Sequence, residues 1–255
     1  MTKHFVLPDV QAKPGTDFSF LYDIGTYVVD KKPDVIVCIG DFADMPSLSS
    51  YDVGTKDFEG RRYHKDVEAA HEAMNAFCLP IYEYNKQKKK NKEKLYRPRL
   101  VMTLGNHEER INKAVNKDAK LDGLISIDDL AYHEWGWEVY PFKLPVQIDG
   151  VTYVHYLPTG QRGMPCSTAN AQLNKAHMSI ITGHQQGLQI AMGKRADGRR
   201  ITSVIAGSCY EHDEKYMGPL ENSHWRGALM LHNVIDGDFD LMPVSLQYIR
   251  ERAQR

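Results

Sequence analysis

Gly105-Asn106-His107-Glu108 stands directly after the apolar run Leu100-Val101-Met102-Thr103-Leu104, which reads as a buried strand. An amide and an imidazole at a strand's end lie where an open α/β sheet puts its chemistry. Two more segments share the design. Val35-Ile36-Val37-Cys38-Ile39 runs into Gly40-Asp41, and Met178-Ser179-Ile180-Ile181-Thr182 runs into Gly183-His184. A fourth strand, Phe5-Val6-Leu7, ends near Asp9. Strand, small residue, then a side chain able to ligate a metal, repeated along one chain, is hard to explain by packing alone. Carboxylate, amide and imidazole donors together suit a divalent cation.

For these side chains to meet, their strands must lie side by side. Residues 4–8 read as the first strand. Phe20, Leu21, Ile24 and Val28 follow at helical spacing, ended by Lys32-Pro33, and 34–39 is the second strand. That opening implies a parallel pair with a right-handed crossover. Residues 45–98 form a long excursion. Met45 to Gly60 reads as a loop, and Val67, Ala70, Met74, Phe77 and Ile81 mark a helical face that Pro80 is expected to kink or break. Lys86 to Lys94 is strongly basic. The excursion reads as a helical, lysine-rich insertion or lid without a core of its own. Glu108 to Ala119 reads as a helix, with Glu108 at its start where negative charge is favoured. Strands are expected near 138–148, 151–157, 178–182, 201–206, 228–234 and 239–244, with hairpin turns at Asp149-Gly150 and Asp236-Gly237. Leu246 to Arg255 reads as a short charged helix or frayed end. The expected fold class is α/β, with two mixed β-sheets packed as a sandwich and flanked by helices, in a single domain over 1–255.

The chain has 255 residues, enough for a sizeable core, and a formal net charge of −1, so no global field favours nucleic acid or a membrane. Cys38, Cys78, Cys166 and Cys209 are scattered with no CxxC pair. That fits reduced thiols and a cytoplasmic location, and argues against a disulfide frame or a thiolate zinc site. No signal-like segment opens the chain, and no apolar stretch approaches the ~20 residues of a membrane span.

Taken in order, Asp9-Val10-Gln11, Gly40-Asp41-Phe42-Ala43-Asp44, Gly105-Asn106-His107-Glu108, His155 and Gly183-His184-Gln185-Gln186 resemble the calcineurin-like metallophosphoesterase family. Its pattern is DxH, GDxxD, GNHE or GNHD, a lone His, then GHxH. The resemblance runs from Asp9 to Gln186, and its specificity lies in five elements in the right order. It implies phosphoester hydrolysis by attack of a metal-bound hydroxide, with two divalent ions ~3.5–4 Å apart neutralising the phosphoryl oxygens. By the resemblance, Asp41 bridges the ions, and Asn106, His155 and His184 complete a histidine-containing shell suited to Mn, Zn, Fe or Ni. Asp9 and Asp41 hold the other ion. There the chain departs from the pattern, with Gln11 and Gln186 where the family has histidines. That shell becomes all oxygen, which favours Mn or Mg and implies one well-held ion and one exchangeable ion. The resemblance makes His107 the group facing the leaving oxygen, and Asp44 the carboxylate that orients its ring.

Plainer readings compete at several positions. Asp41 and Asn106 also suit turns. His155 reads either as a ligand or as a hydrogen-bonded core histidine, and Gln11 and Gln186 either as ligands or as pocket residues. His133, His177, His212, His224 and His232 have no motif support, although His212 and His224 lie in a polar segment, Cys209 to Trp225, able to reach the site. The protein-phosphatase pattern GDxxDRG is not met, because Met45-Pro46 follows Asp44. The basic insertion leans the reading to a phosphodiesterase, including a nuclease, with nucleic acid as a partner through its lysines. The rivals are a phosphomonoesterase on a small metabolite or nucleotide, and a non-catalytic, metal-containing module that binds a phosphorylated ligand.

Overall fold

The computed structural model describes residues 1–51, 53–212 and 224–254. In chain order the elements are β1 (Thr2–Leu7), α1 (Ser19–Lys31), β2 (Val35–Cys38), α2 (Tyr63–Lys90), β3 (Arg99–Thr103), α3 (Glu109–Lys117) and β4 (Glu138–Tyr140). Then come β5 (Val146–Ile148), β6 (Val151–Tyr153), β7 (Pro158–Thr159), β8 (Met164–Pro165), α4 (Ala169–Ala176), β9 (Ile180–Thr182) and β10 (Leu188–Lys194). The chain closes with β11 (Arg200–Ala206), β12 (Gly227–Ile235), β13 (Asp238–Ser245) and α5 (Leu246–Ala253).

Two mixed sheets carry the fold. One has the order β13-β12-β1-β2-β3-β4 and the other β10-β11-β9-β6-β5, while β7 and β8 pair separately. β1 to β4 are mutually parallel, as are β6, β9 and β11. Their apolar runs are continuous because both faces of these strands are buried. Successive side chains alternate between faces. Phe5, Leu7, Ile36, Cys38 and Met102 point to the layer that holds α1, α2 and α5. Val6, Val35, Val37, Ile39 and Val101 point the other way, onto Val146, Val151, Tyr153, Ile181 and Val204 of the second sheet.

Several expected boundaries move. The strand expected at 138–148 is two strands in different sheets, β4 and β5, separated where Pro141, a left-handed Lys143 (φ 67°) and Pro145 interrupt the ladder. The one expected at 151–157 stops at Tyr153, so His155 stands beyond it. β7, β8, α4 and β10 lacked a sequence signal strong enough to be expected. Both hairpin turns form, with positive φ at Asp149 and Gly150 and at Asp236 and Gly237. They also join the sheets, since Gly237 N donates to Asp149 O at 2.9 Å.

The excursion after β2 contributes to the main core. From Tyr63 onward it is the crossover helix α2, which buries Ala69, Ala70, Ala73, Met74 and Phe77 in the main core. Pro80 does not break it. Its ring packs at Gly25 of α1, and burial against α1 outweighs the hydrogen bond that proline cannot make. Because β2 and β3 are parallel, α2 must return the chain to the edge where β2 began. At 28 residues it spans about 42 Å, so its lysine-rich end lies at the far edge. There Tyr96 Oη donates to Pro33 O at 2.8 Å, just before β2, and Lys32 Nζ lies 5.1 Å from the Tyr84 ring. The lysines therefore sit at the opposite end of the sheet from Asp41 and Asn106, and proximity no longer supports a nucleic-acid contact through them.

His4 clamps the two sheets near the hairpin turns. Its side chain is fully buried on β1, 3.0 Å from Asp149 Oδ2 through Nε2 and 2.7 Å from Tyr153 Oη through Nδ1. Burial lowers its pKa, against the raising influence of Asp149. Below the unfolded value near ~6.5, the unfolded chain binds a proton that the folded chain resists. Stability is therefore lost as pH falls through and below about 6.5. We expect the difference in unfolding free energy between wild type and His4→Gln to be constant above about pH 7.5 and to shrink toward pH 5. Denaturant titrations that give the same difference at both pH values would refute this.

Candidate metal centre

Every polar residue that the sequence singles out for chemistry stands just past a strand end. Asp9 follows β1, Asp41 follows β2, Asn106 follows β3, His155 follows β6 and His184 follows β9. The carboxyl ends of the parallel strands in both sheets thus converge on one place. The connections are tight and locally left-handed. Gln11, Asp41, His184 and Gln186 have φ of 49°, 50°, 70° and 58°. Non-glycine residues adopt this region only when their surroundings hold them there. A short parallel ladder does so, with Gln11 N donating to Asp41 O at 2.8 Å, Ala12 N to Phe42 O at 2.7 Å and Asp44 N to Ala12 O at 2.9 Å. Gly105 and Gly183 have a different task. A Cβ at Gly105 would sit inside the Asp41 carboxylate, and one at Gly183 would overlap Asp9 Oδ1.

Ligand atoms of Asp41, His155 and His184 all lie within 4.8 Å of one another. Asn106 Oδ1 joins them, 2.9 Å from His155 Nε2, and Asp41 Oδ2 is 3.3 Å from the same nitrogen. The other nitrogen of His155 lies 2.8 Å from Ile39 O. A carbonyl can only accept, so Nδ1 carries the proton, and in the neutral ring Nε2 offers its lone pair to the cluster. His155 is therefore no isolated core histidine.

On the other side of Asp41 stands His107. Its backbone N donates to Asp41 Oδ1 at 2.8 Å, and its Nδ1 lies 2.7 Å from Asp44 Oδ1. Its Nε2 is 3.7 Å from Asp41 Oδ2 and 3.1 Å from Arg110 Nη2. Arg110 also donates through Nη1 to Asp44 O at 2.7 Å.

The remaining expected ligands make contacts of their own. Both oxygens of Asp9 accept from His184 N, at 3.1 and 3.0 Å. Gln186 Oε1 accepts from Tyr210 Oη at 3.0 Å. Gln11 is buried beside Asp41 and bonds it through the backbone. Tyr210 Oη also lies 2.8 Å from His224 Nδ1, and its ring stacks on His212 at 4.3 Å. These two histidines thus reach the site edge through Tyr210, while residues 213–223 of that segment lie outside the described residues.

Burial and close charges shift the ionisation of each group in this pocket. Burial pushes the Asp9 carboxyl up to about 7, against the attraction of His155 and with help from the Asp41 charge. Burial also acts on Asp41, but the nearby positive charges of His107 and His155 override it and hold that carboxyl well below the usual range. His155 rises to about 9, because Asp41 and Asp9 outweigh its own desolvation. His184 falls to about 4 through burial and the neighbouring His155 charge. Asp9 and Asp41 lie close enough for the Asp41 charge to act on Asp9. An oxygen–nitrogen donor set of Asp41, Asn106, His155 and His184 fits Mn, Zn, Fe or Ni.

Two residues at the centre carried no distinguishing sequence signal. Glu108 read as a helix-start residue, yet it is fully buried and accepts from three backbone groups. Asp41 N donates at 3.0 Å and Gly105 N at 2.8 Å to Oε2, and Ala43 N donates at 3.0 Å to Oε1. Tyr132 Oη adds a bond at 3.3 Å. Arg110 lies three residues after His107, a spacing that places both on one helical face.

A scan against protein-family models finds no match, and neither does a search of curated proteins. Among solved structures, the chain is similar to YfcE, a phosphoesterase from E. coli, at 12% identity and a TM-score of 0.37 over 96% of this chain and 99% of that one. A TM-score of that size carries no argument about what this chain does.

Glu108→Gln keeps one acceptor oxygen and turns an NH2 against donors already in place. We expect it to lower unfolding free energy by about 2–3 kcal/mol and to weaken metal retention, since both loops lose their shared anchor. Unchanged denaturant midpoint and unchanged metal content would show that Glu108 does not organise the site.

Proposed function

We propose that this protein is a metal-dependent phosphoester hydrolase that acts on diesters. One observation carries the reading. Asp41 is flanked on one side by the imidazoles of His155 and His184, and on the other by a histidine already paired with a carboxylate, His107 with Asp44. A cation site alone has no use for the second pair. When bound by Asp41, Asn106, His155 and His184, a divalent cation would neutralise phosphoryl oxygens and acidify a water.

The protein's own groups then divide the remaining tasks. Water attacks phosphorus and gives up a proton to solvent, the bond to the leaving oxygen breaks, and that oxygen takes a proton from His107 Nε2, which solvent then restores. Asp44 holds the ring by Nδ1 and stabilises its charged form. The attraction of Asp41 and the bond to Asp44 outweigh burial and raise the pKa of His107. Arg110 donates to Nε2 only while that nitrogen is unprotonated. Once the ring is charged, the contact becomes repulsive, and the guanidinium turns to the anionic substrate. The site is also two-sided, as a diester requires. His107 and Arg110 flank Asp41 on the leaving-group side, and Phe142 and Tyr156 lie beyond His155 and His184 on the other.

The test is turnover of a generic diester and a generic monoester with Mn2+, Mg2+, Ni2+ and Zn2+ supplied separately. Diester turnover that falls about 10²–10⁴-fold in His107→Ala, with metal content unchanged, is the expected result. Monoester turnover alone would assign the substrate differently. No turnover with any ion, despite bound metal, would make the protein a binder of phosphorylated ligands.

A further inference from the structure

Beside the metal centre lies a group of side chains that take no part in the bond-breaking step. The Tyr156 ring is 5.0 Å from the His184 ring, and Phe142 meets Tyr156 nearly edge-on at 5.4 Å and 81°. Above both lies the ammonium of Lys143, 5.0 Å from the Phe142 centroid and 5.3 Å from that of Tyr156. Phe142 and Tyr156 are half-buried and Lys143 is exposed. Among the described residues, no carboxylate lies within ion-pair distance of Lys143.

The backbone holds this lysine in place. Lys143 has a φ of 67°, in a turn closed by Leu144 N donating to Pro141 O at 3.0 Å. A left-handed lysine is disfavoured unless the surroundings impose it, and such strain collects where a ligand is gripped. Prolines at 141 and 145 stiffen both sides of the turn. Tyr156 follows His155 of the metal cluster, and their rings lie 5.9 Å apart.

We infer that Phe142, Lys143 and Tyr156 form a subsite for the planar ring and phosphate of a nucleoside phosphate held at the metal centre. The inference rests on the phosphoester reading and specifies its substrate class. Two rings nearly perpendicular to each other make a corner. A flat ring fills it by stacking on one and meeting the other at its edge, whereas an alkyl chain gains nothing from that geometry. A cation over an exposed aromatic face is held weakly, and a charge-assisted hydrogen bond to a phosphate oxygen is stronger. An arriving phosphate therefore draws Lys143 off the rings, and the planar ring takes its place. One movement binds both ends of the same ligand.

The experiment compares equilibrium binding of AMP and ribose 5-phosphate to the full-length, Mn2+-loaded protein by calorimetry, with metal content measured for each variant. Wild type should bind AMP about tenfold or more tighter, the size expected for one stacked base. Tyr156→Leu should erase that preference and leave ribose 5-phosphate affinity unchanged. Tyr156→Phe, which keeps the ring, should retain the preference. Lys143→Gln should weaken both ligands by a similar factor. Equal affinities in wild type, a preference that survives Tyr156→Leu, or no binding of either ligand by metal-loaded protein would each overturn the subsite. Loss of fold in Tyr156→Leu leaves the wild-type comparison and Tyr156→Phe to decide. If the ring preference is present but no ester is hydrolysed with any ion, the hydrolase reading falls and the subsite stands.

Discussion

A single buried carboxylate ties the site together. Glu108 accepts hydrogen bonds from Asp41 N, Ala43 N and Gly105 N, so the loop after β2 and the loop after β3 share one anchor. Burial raises its pKa, and the Asp41 charge raises it further. No cation faces it at bonding distance among the described residues; backbone dipoles and a tyrosine hydroxyl stand in for one. This arrangement is economical for a metal centre. A lysine or arginine at the anchor would place a permanent positive charge beside Asp41 and compete with the ion that Asp41 is to hold. Backbone N–H groups hold the loops just as firmly without contributing a net charge.

The anchor is needed because the loops are not at rest. Gln11, Asp41, His184 and Gln186 all adopt a left-handed backbone just past the ends of β1, β2 and β9. Each such residue costs on the order of 1–3 kcal/mol unless its surroundings compensate. Compensation comes from the ladder between the loops after β1 and β2, from the two Asp9 bonds to His184 N, and from strands whose two faces are both buried. The close approach of carboxylate to backbone at Gly105 and Gly183 belongs to the same design. Rigid strands deliver the ligands, and strained turns aim them.

Much of this was legible in the sequence because burial on both faces leaves an unmistakable trace. A continuous apolar strand ending in glycine and a polar ligand marks a parallel strand whose carboxyl end faces a site, and Asp41, Asn106 and His184 were found that way. His155 was harder, since β6 is only three residues long and ends before it. What the sequence left obscure was decided by tertiary contact. Pro80 signals a helix break, but packing against α1 prevails. Residues 138–148 look like one strand, but β4 and β5 belong to different sheets. Glu108 looks like any acidic helix start, and only its neighbours in space reveal the anchor. The lysine run looked close to the site in the chain, yet a parallel crossover carries it to the other end of the sheet.

Gln186 acquires a physical meaning once Tyr210 is in view. An imidazole nitrogen has one lone pair, so a histidine at position 186 could accept from Tyr210 or ligate a cation, but not both through the same atom. The carbonyl oxygen of Gln186 has two lone pairs. It accepts from Tyr210 Oη and retains one for a hard cation or for a water. Burial raises the Asp9 carboxyl to about 7, although its two bonds from His184 N favour the ionised form. Asp41, by contrast, is held in its ionised form by the charges of His107 and His155. The asymmetry lies in the donors themselves. The histidine side of Asp41 offers two imidazoles within 4.8 Å, and the other side offers amide and carboxylate oxygens that already accept hydrogen bonds.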